Sequence, residues 1–263
     1  MCLILFAAGA HPRFPLIVAA NRDEAYSRPA APASEWPDHP GVYGGRDLEH
    51  GGTWLALATS GRFAAITNYR QGQRLDRAPH SRGELTRDFL TGNAEILDYL
   101  RDVQRRDGQY HGYSLIAGSV QQLYFYSNRR AGVLPIETGV HGLSNRLLDE
   151  PWPKVQRGIA VLTSLLSAGK SEIERVLYDL LSDQTPASDE LLPSTGIPRE
   201  RERMLSASFI AGEAYGTRAS TVVLVGADGE VAFSERTFGA HGVPLGQSQE
   251  RFRLTAPATQ KTA

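Results

Sequence analysis

Short runs of branched and aromatic residues, bounded by turn residues, recur over 2–7, 16–20, 53–58, 63–68, 113–118, 122–127, 220–225 and 231–235. That is the pattern of β-strands. Thr59-Ser60-Gly61-Arg62 joins one pair of runs and Gly226-Ala227-Asp228-Gly229 another, which is hairpin chemistry and predicts antiparallel pairing in two sheets. Helical stripes fall between the strand pairs. Ser81 and Glu84 have capping-box spacing ahead of Leu85, Phe89 and Leu90, and Ile96, Leu97, Leu100 and Val103 repeat at helical intervals. Val155, Ile159, Leu162 and Leu166 form a third stripe entered through Pro153. Ser171 and Glu174 open a fourth helix carrying Ile173, Val176, Leu177 and Leu180, and 205–210 is read as a fifth. Two sheets between helical layers would bury all these stripes in one α+β domain over 1–254. Residues 182–199, with Pro186, Pro193 and Pro198, are read as a functional flap or a mobile loop, and 255–263 as a disordered tail.

Composition narrows the function. Among 263 residues, 28 Lys and Arg face 29 Asp and Glu, so the net charge is −1, which argues against nucleic acid or an anionic membrane as the main partner. No apolar run approaches the roughly 18 residues of a transmembrane segment. The single cysteine, Cys2, excludes an intrachain disulfide and a cysteine-based zinc cluster. None of the seven histidines has metal-ligand spacing, so no metal site is expected. The apolar start lacks a basic leader and its cysteine precedes the apolar stretch, so it is read as a buried strand of a cytoplasmic protein. Only Lys154, Lys170 and Lys261 are lysines, a skew read first as coding bias and second as anion recognition. Gly44-Gly45 and Gly51-Gly52 match no nucleotide-binding pattern and suit turns or close backbone approaches.

The candidate chemistry begins at Cys2. A small second residue permits removal of Met1. The thiol would then share a residue with an α-amine of pKa about 7.7–8.0, a nucleophile and its base together. The plainer alternative is a small buried strand residue. Asn21-Arg22-Asp23-Glu24 directly follows the strand over 16–20. There a guanidinium suits a thiolate and a carboxylate suits an amine. Adjacent strand residues point to opposite faces, so Arg22 and Asp23 can both face Cys2 only if the strand has ended or bulges. Asn68 and Asn145 are neutral donors of the kind that stabilise an oxyanion, and Arg218 precedes a further strand.

These residues lie in a longer series of motifs. The series starts with Met1-Cys2, Ala19-Ala20-Asn21-Arg22-Asp23-Glu24, Tyr26-Ser27-Arg28-Pro29, Gly51-Gly52-Thr53-Trp54-Leu55 and Ala65-Ile66-Thr67-Asn68-Tyr69. It continues with Arg82-Gly83-Glu84-Leu85, Ser127-Asn128-Arg129, Gly142-Leu143-Ser144-Asn145, Pro151-Trp152, Gly216-Thr217-Arg218 and Phe233-Ser234-Glu235-Arg236. With them the chain resembles, over nearly its whole length, the NRDE family of the Transport and Golgi Organisation protein 2 type. The resemblance implies a four-layer αββα sandwich like the N-terminal nucleophile hydrolases. It implies Cys2 as nucleophile, Asp23 near the α-amine, Arg22 near the thiolate, Asn145 and Asn68 at the oxyanion, and Arg218 as the late arginine. Arg22 and Asp23 are adjacent here, whereas the hydrolases space them by three. Asn21, Trp54 and Tyr69, inside the same motifs, are the expected substrate-binding side chains. The activity implied is cysteine hydrolysis of an amide or thioester of a small or lipid-like substrate, with no cofactor required. The alternative is a haem or acyl-coenzyme A carrier on the same scaffold, with haem as a bound ligand. Either form allows a homo-oligomer.

Overall fold

The computed structural model describes residues 2–72 and 78–255; Met1, 73–77 and 256–263, and so most of the expected tail, lie outside the described residues. The chain opens with β1 (Cys2–Ala8), β2 (Leu16–Ala25), β3 (Ala30–Trp36), β4 (His39–Asp47), β5 (Leu55–Ala58) and β6 (Arg62–Asn68). Helices α1 (Arg82–Thr91) and α2 (Ile96–Arg105) follow, then β7 (Tyr113–Ser119), β8 (Gln122–Ser127), β9 (Leu134–Pro135) and β10 (Gly139–Leu143). After α3 (Pro153–Ser164), α4 (Lys170–Leu181) and α5 (Arg199–Ser206), the chain closes with β11 (Tyr215–Val225), β12 (Glu230–Phe238) and β13 (Pro244–Arg253).

The strands form two antiparallel sheets. One is ordered β10-β1-β2-β11-β12-β13 and the other β3-β4-β5-β6-β7-β8-β9. The expected αββα sandwich follows from where each apolar side chain goes. In β1, Ile4 and Phe6 enter the core between the sheets, while Leu3, Leu5 and Ala7 pack under Val155, Leu162 and Leu177 of α3 and α4. Leu85, Phe89, Leu100 and Val103 of α1 and α2 cover the outer face of the second sheet with Ala64, Leu115 and Ala117. A strand buried on both faces needs apolar residues at every position, which is why β1 and β2 read as continuous runs rather than alternations.

Three departures from the sequence reading affect the site. First, β2 continues to Ala25 instead of ending at Ala20, so Asn21-Arg22-Asp23-Glu24 lies on the strand. Second, β3, β4, β9, β10 and β13 were not expected. β4 contains Pro40, Gly41, Gly44 and Gly45, which imitate a turn, and β13 is an edge strand largely open to water. Third, the fifth helix spans Arg199–Ser206, not 205–210. Its Arg-Glu-Arg-Glu-Arg start shows no apolar stripe, and after it the backbone crosses β2 and β11, where the Thr217 N–H donates to the Ile210 carbonyl at 2.8 Å. The flap residues 182–199 are described and contribute Ile197 to a cavity wall. Among the described residues, no helix is long and apolar enough to cross a membrane.

Candidate active site

Cys2 is the first residue of β1 and lies opposite Arg22 of β2. Directly opposed residues of an antiparallel pair share a face, so the thiol and the guanidinium both point between the sheets. The Arg22 side chain is buried, its Cζ sits 4.3 Å from the centre of the Trp54 ring, and its Nη1 has no hydrogen-bond partner among the described residues. Trp54 reaches that position because Gly45 leaves room: a Cβ there would come within 2.2 Å of the indole. Asp47 faces the same group, 4.0 Å from Arg22 Nη2 and 2.7 Å from Arg28 Nη2.

The backbone of Cys2 is held from the far end of the chain. Its N–H donates to Asn145 Oδ1 at 3.3 Å and its carbonyl accepts from Ser144 Oγ at 3.1 Å. Asn145 occupies the left-handed region, at φ 57°, which Asn tolerates better than most residues. This conformation turns its side chain back across β1, where Nδ2 donates to the Asn68 carbonyl at 3.0 Å. An amide nitrogen carries two hydrogens, so a second remains for a substrate oxygen.

Asp23, one position beyond Arg22, lies on the opposite face of the sheet. It is buried and accepts from Thr217 Oγ1 at 2.7 Å, while its carbonyl accepts from Tyr215 Oη at 3.1 Å. Burial pushes the Cys2 thiol above its ordinary pKa and the Asp23 charge adds to that; the Asp23 backbone N–H and Arg22 pull the other way. The thiol therefore needs a base to become a nucleophile near neutral pH. Burial also raises Asp23, and Lys154 is the strongest influence opposing it.

Cys2, Arg22, Asp23, Trp54, Asn68 and Arg82 line a niche of about 100 Å³. Glu24, Asn68 and Arg82 also line an adjoining chamber of about 640 Å³, walled further by Tyr69, Arg70 and Tyr215 and by Ile197, Arg201 and Leu205 of the flap and α5. The larger volume lies within the usual range for a small-molecule site. Among the described residues, no group of three or more His, Cys, Asp or Glu side chains is placed to hold a metal.

A profile of the Transport and Golgi organisation 2 family matches residues 1–240. The chain belongs to that family. The Transport and Golgi organization protein 2 homolog of Bos taurus is 36% identical over 97% of both chains. The Homo sapiens homolog is 36% identical over 90% of this chain and 93% of its own. The Drosophila melanogaster protein is 31% identical over 90% and 92%. Among solved structures, the chain is similar to a Caenorhabditis elegans ortholog of N-acylethanolamine-hydrolyzing acid amidase, at TM-score 0.48 and 13% identity over 78% of this chain and 98% of that one. A mutant conjugated bile acid hydrolase of Clostridium perfringens gives TM-score 0.49 and 8% identity over 97% and 92%.

In this Transport and Golgi organisation 2 chain, the residues expected from sequence divide into three groups. Cys2, Arg22, Trp54 and Asn68 meet at the niche, which Asp23 lines with its backbone N–H toward the thiol while Thr217 holds its carboxylate on the other face; Asn145 is hydrogen-bonded to Cys2 beside it. Tyr69 lines the larger chamber. Asn21 and Arg218 line neither. Asn21 is buried with its amide spent on structure: Nδ2 donates to the Leu181 and Ser208 carbonyls and Oδ1 accepts from Ser220 Oγ. Arg218 sits where the register between β11 and β2 shifts, and its Nη1 ties down the carbonyls of Ala25 and Arg28 at 3.0 and 2.6 Å. It braces the turn after β2.

Arg82 and Lys154 were missed. Arg82 begins α1, where the capping box of Ser81 and Glu84 fixes its orientation, and Nη1 donates to the Gly112 carbonyl at 3.2 Å. Burial pulls its guanidinium below the ordinary value, against the charges of Glu24 and Cys2. The capping box and the motif Arg82-Gly83-Glu84-Leu85 were both visible, but nothing local ties that helix start to a cysteine eighty residues earlier. The signal for Lys154 was its rarity.

Proposed function

We propose that the chain is an N-terminal cysteine amidohydrolase that cleaves a C–N amide bond, or a thioester, in a small or lipid-like substrate. The observation that carries this reading is the arrangement at the start of β1: the Cys2 backbone nitrogen rests on Asn145 Oδ1 at 3.3 Å and the thiol shares a face with Arg22. With Met1 removed, that nitrogen is an α-amine beside its own thiol. The amine takes the thiol proton as sulfur attacks the substrate carbonyl. Asn145 Nδ2 and the Asn68 amide supply N–H donors to the developing oxyanion. The C–N bond breaks as the α-ammonium protonates the departing amine, leaving a thioester on Cys2. The free α-amine then takes a proton from water, hydroxide adds to the thioester, and the carboxylic acid leaves as the thiol is restored.

Intact mass of protein purified from cells tests the first requirement. The reading needs a species lacking Met1, and an active form that retains Met1 overturns it. A Cys2→Ala variant is expected to lose labelling by an electrophilic acyl probe, with its thermal unfolding unchanged.

The chamber of about 640 Å³, with Arg82 and Arg201 in its wall, favours a second reading as a carrier of acyl-coenzyme A or haem. For haem the fit is weaker, because His111 in the wall already accepts the Ala78 N–H on Nε2 at 3.1 Å. Titration with haem followed by absorbance, and with an acyl-coenzyme A followed by calorimetry, tests it. No saturable signal from either ends it.

A further inference from the structure

Of 28 basic residues only three are lysines, and one of them, Lys154, is 1% exposed. A long cationic side chain is rarely buried without a partner. Lys154 stands in the first turn of α3, on the helix side of the sheet that carries Cys2 on its other face. Asn21 and Asp23 of β2 point to the same side. The segment 207–210 crosses there and ties these groups together: Lys154 Nζ reaches the Ala207 carbonyl at 3.4 Å and Asn21 Nδ2 the Ser208 carbonyl at 2.7 Å. Thr217, bonded to Asp23 Oδ1, accepts the Ile210 N–H at 2.9 Å.

The charged groups that act on Lys154 are Asp23 on its own side of the sheet, Cys2 through the sheet from the other face, Arg70 after β6 and Arg157 of its own helix. Asp23 in turn feels Lys154 and Arg70. The two arginines have carboxylates of their own, Glu202 at 2.5 Å from Arg70 and Asp183 at 3.0 Å from Arg157. Lys154 and Asp23 are thus opposite charges buried on one side of the sheet, joined through the 207–210 segment and not by a direct ion pair among the described residues. Burial pulls Lys154 down to about 8, opposed first by Asp23, and burial pushes Asp23 up, opposed first by Lys154. An arginine here would bring five donors to a site that offers one carbonyl, whereas an ammonium is compact.

We propose that Lys154 is a positioning residue of the nucleophile, its ammonium holding Asp23 as the carboxylate that orients the Cys2 α-amine; this rests on the hydrolase reading above. The test needs no substrate. 2-Cyanobenzothiazole condenses with a free aminothiol: the thiolate adds to the nitrile carbon, the α-amine closes the ring and ammonia leaves. The labelling rate of Met1-free protein is followed by mass spectrometry across pH.

Removing the ammonium raises Asp23, so Lys154→Met is expected to move the acid limb of the profile up by about one pH unit. Lys154→Arg, where it folds, moves it back. In an Asp23→Asn background, Lys154→Met is expected to change nothing further. A Lys154→Met limb that coincides with the native one overturns the proposal. If native protein lacking Met1 is not labelled at all, the hydrolase reading fails instead. The pair is then judged by a second measurement, which also serves if Lys154→Met does not fold. Carbon-13 NMR of the lysine Cε signals in the native chain is expected to show Lys154 titrating well below the ordinary lysine value, and lower still in Asp23→Asn. A Lys154 midpoint that ignores Asp23→Asn overturns the proposal.

Discussion

Glu202 offers a direct measure of what holds residues 182–199 against the wall of the larger chamber. Its Oε2 lies 2.5 Å from Arg70 Nη1, with side-chain exposures of 2% and 4%. Its Oε1 accepts from both the N–H and the hydroxyl of Thr195 in the flap. Arg70 is stacked 4.5 Å from the centre of the Trp152 ring, and its N–H donates to the Asn145 carbonyl at 2.7 Å. One carboxylate therefore links α5, the flap and the residue that holds Cys2. Glu202→Ala removes the ion-pair partner of a buried guanidinium and the acceptor of two flap donors. Breaking a buried pair from one side costs about 3–5 kcal/mol. At ~2–4 °C per kcal/mol for a chain of this size, the midpoint should fall by about 6–20 °C. Replacing both partners, as Arg70→Met with Glu202→Leu, leaves no stranded charge and should recover most of that loss. Urea unfolding of the native chain, both single variants and the double variant closes the cycle. Limited proteolysis should cut Glu202→Ala faster within the flap. A single-variant cost below about 1 kcal/mol, or a double variant as unstable as the sum of the singles, refutes the reasoning.

Three further outcomes are expected. Gly45→Ala places a Cβ 2.2 Å from the Trp54 ring, so it should cost about 1–3 kcal/mol and alter tryptophan fluorescence. Gly108→Ala, with nothing within 4 Å of the added Cβ, is the control, and equal effects would sink the argument. His141 Nδ1 lies 2.8 Å from Asp149 Oδ2, and that hydrogen bond raises the histidine. A raised folded pKa gives stabilisation that is whole below the unfolded value of about 6.5 and lost as pH rises through the folded one. Asp149→Asn keeps a residue suited to φ 57° and should remove that pH-dependent part, so a thermal-shift difference that stays constant with pH counts against it. Cys2→Ser in Met1-free protein should abolish condensation with 2-cyanobenzothiazole, and persistent labelling would place the reactive group elsewhere.

The layers and most elements were legible because burial on both faces writes continuous apolar runs and helices write stripes. The capping box before α1 and the proline entry to α3 are local chemistry, and both helices start there. Other strands were hidden, since β13, at a sheet edge, spends its length in water and β4 carries the glycines that admit Trp54. At the site, Cys2, Arg22, Asp23, Asn68 and Asn145 were named from residue type, position and motif. Their division between two faces depends on where β2 ends, which no local signal marks. Asn21 carried the same polar promise as its neighbours, and only the carbonyls of Leu181 and Ser208, far along the chain, reveal that it is consumed. Lys154 and Arg82 are helix-turn residues whose significance arises from tertiary placement.

The alternation along β2 has an outcome for how such a chain tolerates change. Arg22 looks toward one core and Asp23 toward the other, so sliding β1 by a single step against β2 would exchange the neighbours of the thiol wholesale. The connection between these strands, closed by the Gly9 N–H on the Pro15 carbonyl at 2.8 Å and anchored by buried His11 on the Ala168 carbonyl at 3.2 Å, carries no such register of its own. Descendants of this sequence should therefore differ in the length of that corner long before they differ in the spacing from Cys2 to the corner, or from the corner to Arg22.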